Sequence, residues 1–437
     1  MLQDAQGLEV ATDDAGLVAA IDACGEGFLQ QDLAGVLKIF PALERDPGCV
    51  QAQALAAMLQ MFGNTWESPR KARPHLAAAQ DRAPVATERE RLWLDAVTAW
   101  ADDAKDRAIA IHREIARRWP RDLLSARLGQ IHLFLQGDVA GQLAITEDVF
   151  EANRDRAYAH GMMAFALEEV GRLREAEDAG RRAVEMQRRE PWAHHAVAHV
   201  METEGRWQDG LDWMLPLSGE WQGCNSFMFT HNWWHVALFL IDGDRGQEAL
   251  ALFDTRVWGV DKSYAGDQGN AISLAARLEF QGIEVGPDRW SDIADHLKNR
   301  VAEHIDPFLS VHFAYALARA GRLAELRQML SHLEAWAPGA PDWCRPAWTD
   351  AAIPAAKGMA ALAQGDALGA FQLMGAARPH LQLLGGSHAQ RDLFQQCWLR
   401  AAIAAGRGEA VRDSLDRRCT RWPAIAFNRR WAAEAAA

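Results

Sequence analysis

No C-x-x-C pair occurs in the chain, and the six cysteines (Cys24, Cys49, Cys224, Cys344, Cys397 and Cys419) are scattered. That excludes a zinc-ribbon spacing and a disulfide framework. Tyrosine is scarce, at three residues, and runs of β-branched residues are nearly absent, which leaves little material for a sheet. There is no glycine-rich phosphate loop and no dinucleotide fingerprint. Positive charge is short as well: 46 Lys and Arg against 59 Asp and Glu leave a net charge of −13, with no basic stripe to override it. Nucleic acid and anionic membrane surfaces are therefore not expected partners. The longest apolar runs, such as VALFLI after His235, are too short to span a bilayer. The opening MLQDAQGLEVATDDAG lacks the basic and apolar segments of a secretion signal, so a reducing, cytoplasmic setting is expected.

What is present is alanine, leucine, glutamate and arginine at helical spacing, as in LVAAIDACGEGFLQ and LLSARLGQIHLFL. Hydrophobic residues make up 49% of the chain, enough for a large core, and tryptophan is abundant at 18 residues. Short helices are separated by Gly-Asp or Gly-Arg turns, and the glycines of LFLQGDVAGQLA, ALEEVGRLREAE and METEGRWQDGLD fall at Gly137, Gly171 and Gly205, 34 residues apart. That is the period of tetratricopeptide (TPR) repeats, in which a first helix, a glycine turn and a second helix make one unit. Ala176 is the small residue expected where the two helices of a unit approach. Weaker echoes follow at FLIDGDRGQEALALFD, ARAGRLAELRQML and MAALAQGDALGAFQLM. One repeat cannot bury its apolar face alone. The pattern predicts an all-α fold, an α-solenoid (right-handed superhelix) of TPR-like hairpins continuous over 1–437. It is irregular in 1–105, regular in 106–257, and carries loop insertions in 258–437. The insertion at 336–354 reads either as a connection covering one edge or as a lid.

Two segments stand out on that repeat. AHHAVAHVME places His195, His199 and Glu202 within about 60° of one another on one helix, with His194 on the flank. With Gly205 as the fifteenth residue of the unit, these are its fifth, ninth and twelfth residues, which face the groove in TPR proteins. Val197, Ala198 and Met201 take the buried positions. THNWWHVALF repeats the one-turn spacing with His231 and His235 around Asn232, Trp233 and Trp234, and VHFAYALARAG aligns His312 with His235. About 0.5 such H-x-x-x-H pairs are expected by chance under a period-blind count; two occur, on helices that are neighbours in a solenoid.

EPWAHHAVAHVMETEGRWQDGLDWM, FMFTHNWWHVALFLIDGD and LGGSHAQRDLFQQ together resemble the tetratricopeptide repeat protein 38 family over nearly the whole chain. The matched polar positions are His194, His195, His199, Glu202, His231, Asn232, Trp234, His235, His388, Gln390, Arg391 and Asp392. The resemblance implies a cytosolic TPR-like fold and carries over no established reaction or substrate.

Three chemistries fit these residues. In the first, an acid/base pocket for a small organic molecule, Glu202 works with His195 or His199. His194, His231, Asn232, Trp233, Trp234, His235, His312 and His388 line it, Arg391 anchors an anion beside the Ser387-capped helix start, and Asp254 orients an imidazole. This pocket is expected on the concave face, built mainly by 192–235, with no cofactor. In the second, His195, His199, His231 and His235 bind a metal, although the H-x-x-x-H pairs lack the glutamate of H-E-x-x-H. The third is a scaffold holding a peptide in the groove, with a protein or a second copy of the chain as partner. Against all three stands a buried His–Glu–Trp network that only fixes the helices.

Overall fold

The computed structural model describes every residue, Met1–Ala437. The chain is all-α and built of TPR-like helical hairpins, and its one sheet is a two-residue ladder pairing Leu2–Gln3 with Glu9–Val10. It divides into two compact units, 1–197 with 219–228, and 198–218 with 229–437. The boundaries fall inside the Pro191–Glu204 helix, the 3-10 segment Leu215–Trp221 and the Ser226–Asp242 helix. No helix is long and apolar enough to cross a membrane.

In the first unit consecutive helices pack as pairs: Val50–Met61 with Ser68–Arg82, Glu88–Ala101 with Lys105–Arg118, Leu123–Leu135 with Val139–Phe150, and Ala157–Glu169 with Leu173–Met186. The second unit repeats the arrangement with Pro307–Arg319 and Leu323–Trp336, Ile353–Ala363 and Ala367–Ala377, and His388–Ala404 and Gly408–Arg421. Ala176 is fully buried, as its place at a helix approach requires. Much of the tryptophan excess goes into these layers: Trp93, Trp221, Trp234, Trp290, Trp348 and Trp431 are all fully buried.

The turn that makes each hairpin is one device used throughout. Gly137, Gly171 and Gly205 have φ of 72°, 79° and 72°, the left-handed region that closes a helix. The next residue's N–H donates back to the carbonyl five residues earlier, as in Asp138 to Leu133, Arg172 to Leu167 and Arg206 to Met201, at 2.8 to 3.0 Å. This closure satisfies carbonyls that the helix end would leave bare. Gly282, Gly321, Gly365 and Gly406 repeat it, and Gln31, Asp103 and Asp244 adopt it without glycine, at φ of 62°, 58° and 61°. After Gly205 the interval between closures widens to 38 or 39 residues, through Asp244, Gly282 and Gly321. The added residues form the 3-10 segment Leu215–Trp221 and the π turn Phe253–Val257.

A side chain at Gly171 would meet nothing within 4 Å, so only backbone strain opposes one there. Gly171→Ala is expected to cost about 1 kcal/mol, and Asp103→Gly to recover a similar amount by relieving the same strain. Paired thermal unfolding curves check both signs.

The 336–354 insertion folds down. Trp348 and Cys344 are buried, Trp336 meets Trp348 edge-on at 5.2 Å, and a π turn over Ala347–Ala352 leads into the Ile353–Ala363 helix.

Candidate functional site

In the second unit three imidazoles converge. His199 stands near the end of the Pro191–Glu204 helix, and His231 and His235 stand one turn apart on the Ser226–Asp242 helix. Each offers a ring nitrogen, and these atoms lie within 4.8 Å of one another. The His199 and His235 rings meet edge-on at 4.5 Å, as do His231 and His235 at 5.0 Å, and Trp234 stacks on His231 at 5.0 Å. All three histidines are buried, to 2% exposure or less. The division of the Pro191–Glu204 helix into groove and core positions is therefore not what the structure shows: the imidazoles are as buried as Val197 and Ala198. A helix apolar around most of its circumference is enclosed on every side, and His194, His195 and His199 sit among Ala193, Ala196, Val197 and Val200.

Hydrogen bonds behind the rings set their protonation. Thr230 donates from Oγ1 to Asp267 at 3.1 Å, so the same oxygen accepts from Asn270 Nδ2 at 3.2 Å. Asn270 thereby turns its carbonyl to His231 Nδ1, 2.8 Å away. His231 Nδ1 then carries the proton and its Nε2 the lone pair. His235 Nδ1 faces Glu202 Oε2 at 3.0 Å. Burial holds the His231 and His235 pKa values down to about 3, with the neighbouring His235 ring reinforcing the effect on His231 and the Arg277 guanidinium that on His235. Burial first, then the charges of His235, His231, His388 and Arg391, holds His199 well below its ordinary value. Burial also pushes the Glu202 carboxyl, 15% exposed, up to about 8. The imidazoles are neutral at pH 7, the form in which histidine ligates metals.

Behind this set lies a charged layer. Arg277, 3% exposed, donates to the Ala389 carbonyl at 2.6 Å and to Ser273, and its guanidinium lies 5.4 Å from the Trp234 ring. Arg418 binds both Asp392 oxygens at 2.5 and 3.0 Å.

Each of the other expected site residues has its own surroundings. The partner of Glu202 is His235, on the next first helix, rather than His195 or His199 on its own. His195 lies in the first unit, one turn before His199, with its ring 4.6 Å from Trp192 and 5.4 Å from Phe165. His194 is a structural clamp: Nε2 donates to the Arg188 carbonyl at 2.8 Å and Nδ1 accepts from Trp221 Nε1 at 3.1 Å, so both nitrogens are used. Asn232 is buried, and Trp233, half-buried, has the Arg256 guanidinium 5.4 Å from its ring. His312 is interior: Nδ1 donates to the Phe308 carbonyl at 2.9 Å, and the ring meets Phe394. Asp254 orients no imidazole. Both its oxygens accept from Arg289, at 2.8 and 2.7 Å, on an exposed turn.

Arg391 donates to the Gly385 and Gly386 carbonyls and to His388 Nδ1, so it holds the diglycine turn. The expected capping box is present: Ser387 Oγ accepts from the Gln390 N–H at 3.2 Å, and Gln390 Oε1 from the Ser387 N–H at 2.9 Å. Asn270, Thr230, Asp267 and Arg277 were not singled out by sequence. For Asp267 and Asn270 the signal was the polar run GDQGN opening the Ala265–Phe280 helix; Thr230 and Arg277 lie outside that run.

No protein-family model matches the chain. Among solved structures it is similar to the human IFIT1 dimer with m7Gppp-AAAA, at 12% identity over 97% of this chain and 90% of that one, with a TM-score of 0.41. It is similar too to Naa15/Naa10 bound to HypK-THB, at 12% identity over 96% of this chain and 65% of that one, with a TM-score of 0.25. Both likenesses are distant, and the repeat fold rests on the chain's own hairpins.

Proposed function

We propose that the second unit is a metal-binding module, in which His199, His231 and His235 hold a divalent transition-metal ion. The observation that carries this is the convergence of three buried, neutral imidazoles whose Nδ1 atoms, on His231 and His235, are engaged by Asn270 and Glu202. That is the arrangement by which an outer carbonyl or carboxylate fixes the tautomer and aims Nε2 at a metal. Nitrogen ligands about 2.1 Å from a tetrahedral ion stand roughly 3.4 Å apart, so a modest closing of the rings completes the set. A bound ion would supply Lewis acidity to a small oxygen- or nitrogen-bearing molecule that reached it. This keeps the small-molecule ligand of the sequence reading and moves Glu202 from general base to outer-shell partner. The HHAVAHV, HNWWH and GGSHAQRD segments carry the further assignment to the tetratricopeptide repeat protein 38 family, and the six free cysteines suit a reducing cytoplasm.

Cobalt titration of metal-free protein tests the proposal. One equivalent is expected to bring up the visible bands of a tetrahedral nitrogen site, and His235→Ala to abolish them. Glu202→Gln keeps a hydrogen-bonding group but cannot become the carboxylate that would back a ligating imidazole, and is expected to weaken affinity by about 10- to 100-fold. An unchanged spectrum on cobalt addition sinks the proposal.

A further inference from the structure

The first unit holds a second, separate polar cleft. It opens between the N-terminal strand pair and the Ala15–Leu29 helix, and the space open to water-sized contents is about 50 Å³. One water needs roughly 10–15 Å³ by that measure, so the cleft has room for a chain of about four heavy atoms. Its walls combine Asp4, Asp22 and Glu26 with the apolar Ile21 and Leu55, and Gln51.

The charges in this cleft do not cancel. Arg156 is paired with Glu26. Arg89 is committed to Asp122 at 2.7 Å and to the Glu9 carbonyl, and Arg121 to Asp155 and the Ala152 carbonyl, both at 2.8 Å. None of these guanidinium groups donates to Asp4 or Asp22. Those two carboxylates accept only backbone N–H groups, Asp4 from Gln6 and Leu8, Asp22 from Ala5, each on its Oδ1 at 2.9 Å. Burial raises both pKa values, against the opposing charges of Arg89 on Asp4 and Arg156 on Asp22; the neighbouring carboxylates, Asp22 and Glu26 respectively, add to the rise. Gln51 supplies an independent sign. It is 3% exposed, and its side-chain carbonyl accepts no hydrogen bond from the protein. A buried carbonyl of that kind costs free energy until a donor reaches it.

We propose that this cleft binds a primary ammonium group on a short aliphatic chain, held by Asp4, Asp22 and the Gln51 carbonyl, with its methylene groups against Ile21 and Leu55. A bare divalent ion fits less well, because the three carboxylates do not converge within 4.8 Å as the imidazoles of the second unit do. An ammonium offers several N–H donors spread in space and an apolar tail, which matches acceptors at the rim and floor with aliphatic walls.

The test is titration of the full chain with n-butylammonium, followed by saturation-transfer NMR, with Nα-acetyl-lysine amide as a second ligand. Tetramethylammonium, with the same charge and no N–H, is the control. Saturable binding of the primary amines and none of the control is expected. Asp22→Asn and Gln51→Met should each weaken binding about tenfold or more, while circular dichroism stays native. Binding by the lysine amide alone identifies a protein side chain as the source, and binding by butylammonium as well identifies a free amine. No saturable binding of either amine, equal binding of tetramethylammonium, or unchanged affinity in folded Gln51→Met overturns the proposal.

Discussion

Lowering the pH from 6.5 to 5 is expected to unfold the chain cooperatively. His231 and His235 are held down to about 3 and His112, His194 and His312 to about 4, in every case chiefly by burial. In the unfolded chain each returns to about 6.5. Between the folded and unfolded values the unfolded state binds a proton that the folded state refuses. Stability therefore falls as pH drops through 6.5 and keeps falling until about pH 3 to 4. Each buried histidine contributes about 1.4 kcal/mol per pH unit in that window. Five of them together reach roughly 5 kcal/mol per unit or more, comparable to the whole stability of an ordinary domain. Glu202 and Glu190, both pushed up to about 8 by burial, work in the other direction. Their folded values lie above the unfolded one, so their share is lost as pH rises from about 4.5 to 8. Far-ultraviolet circular dichroism against pH checks the acid limb. Removing one of the five, as in His312→Leu, is expected to move the acid midpoint down. A chain that stays folded at pH 4 contradicts this assignment.

Arg89→Met is expected to destabilise the first unit by about 3–5 kcal/mol, the cost of leaving a buried charge without its partner. Arg89 and Asp122 are each 5% exposed at the side chain and 2.7 Å apart. Asp122 also accepts from Trp93 Nε1 at 2.8 Å and caps the Leu123–Leu135 helix through the Ser125 N–H. These two bonds hold the carboxylate in place, so it cannot turn to water when the guanidinium is removed. Adding Asp122→Asn on the Arg89→Met background should recover part of the loss, because the amide still accepts from Trp93 or Ser125 and carries no charge. Urea unfolding of the two variants beside the wild type gives the comparison. A loss below about 1 kcal/mol, the range of exposed pairs, contradicts it.

The repeat was legible wherever glycine marks it. A left-handed helix closure is free of steric cost only for glycine, so Gly137, Gly171 and Gly205 wrote the 34-residue beat into the sequence. The same closure at Gln31, Asp103 and Asp244 has no such mark, so no beat could be read from it. Of the site, the one-turn spacing of His231 and His235 and the stripe holding His199 were legible, because helical periodicity acts within one element. Burial was not. Periodicity says which residues share a face and not what covers it, so a face assigned to an open groove proved enclosed. Pairing across repeats was equally hidden. Nothing local to Glu202 names His235, and nothing local to His231 names Asn270, 39 residues on. His194 shows the limit from the other side: it adjoins His195 in sequence, yet about 100° of helix rotation turns it to Trp221 and out of the set.

Elemental analysis of tag-free protein, purified without chelator, tests the central claim most directly. The account predicts about one transition-metal ion per chain in the wild type, and only traces in a folded His199→Ala/His235→Ala double variant. Metal at trace level in the wild type, with none taken up on dialysis against zinc or cobalt, would contradict it and leave the three imidazoles as a structural network.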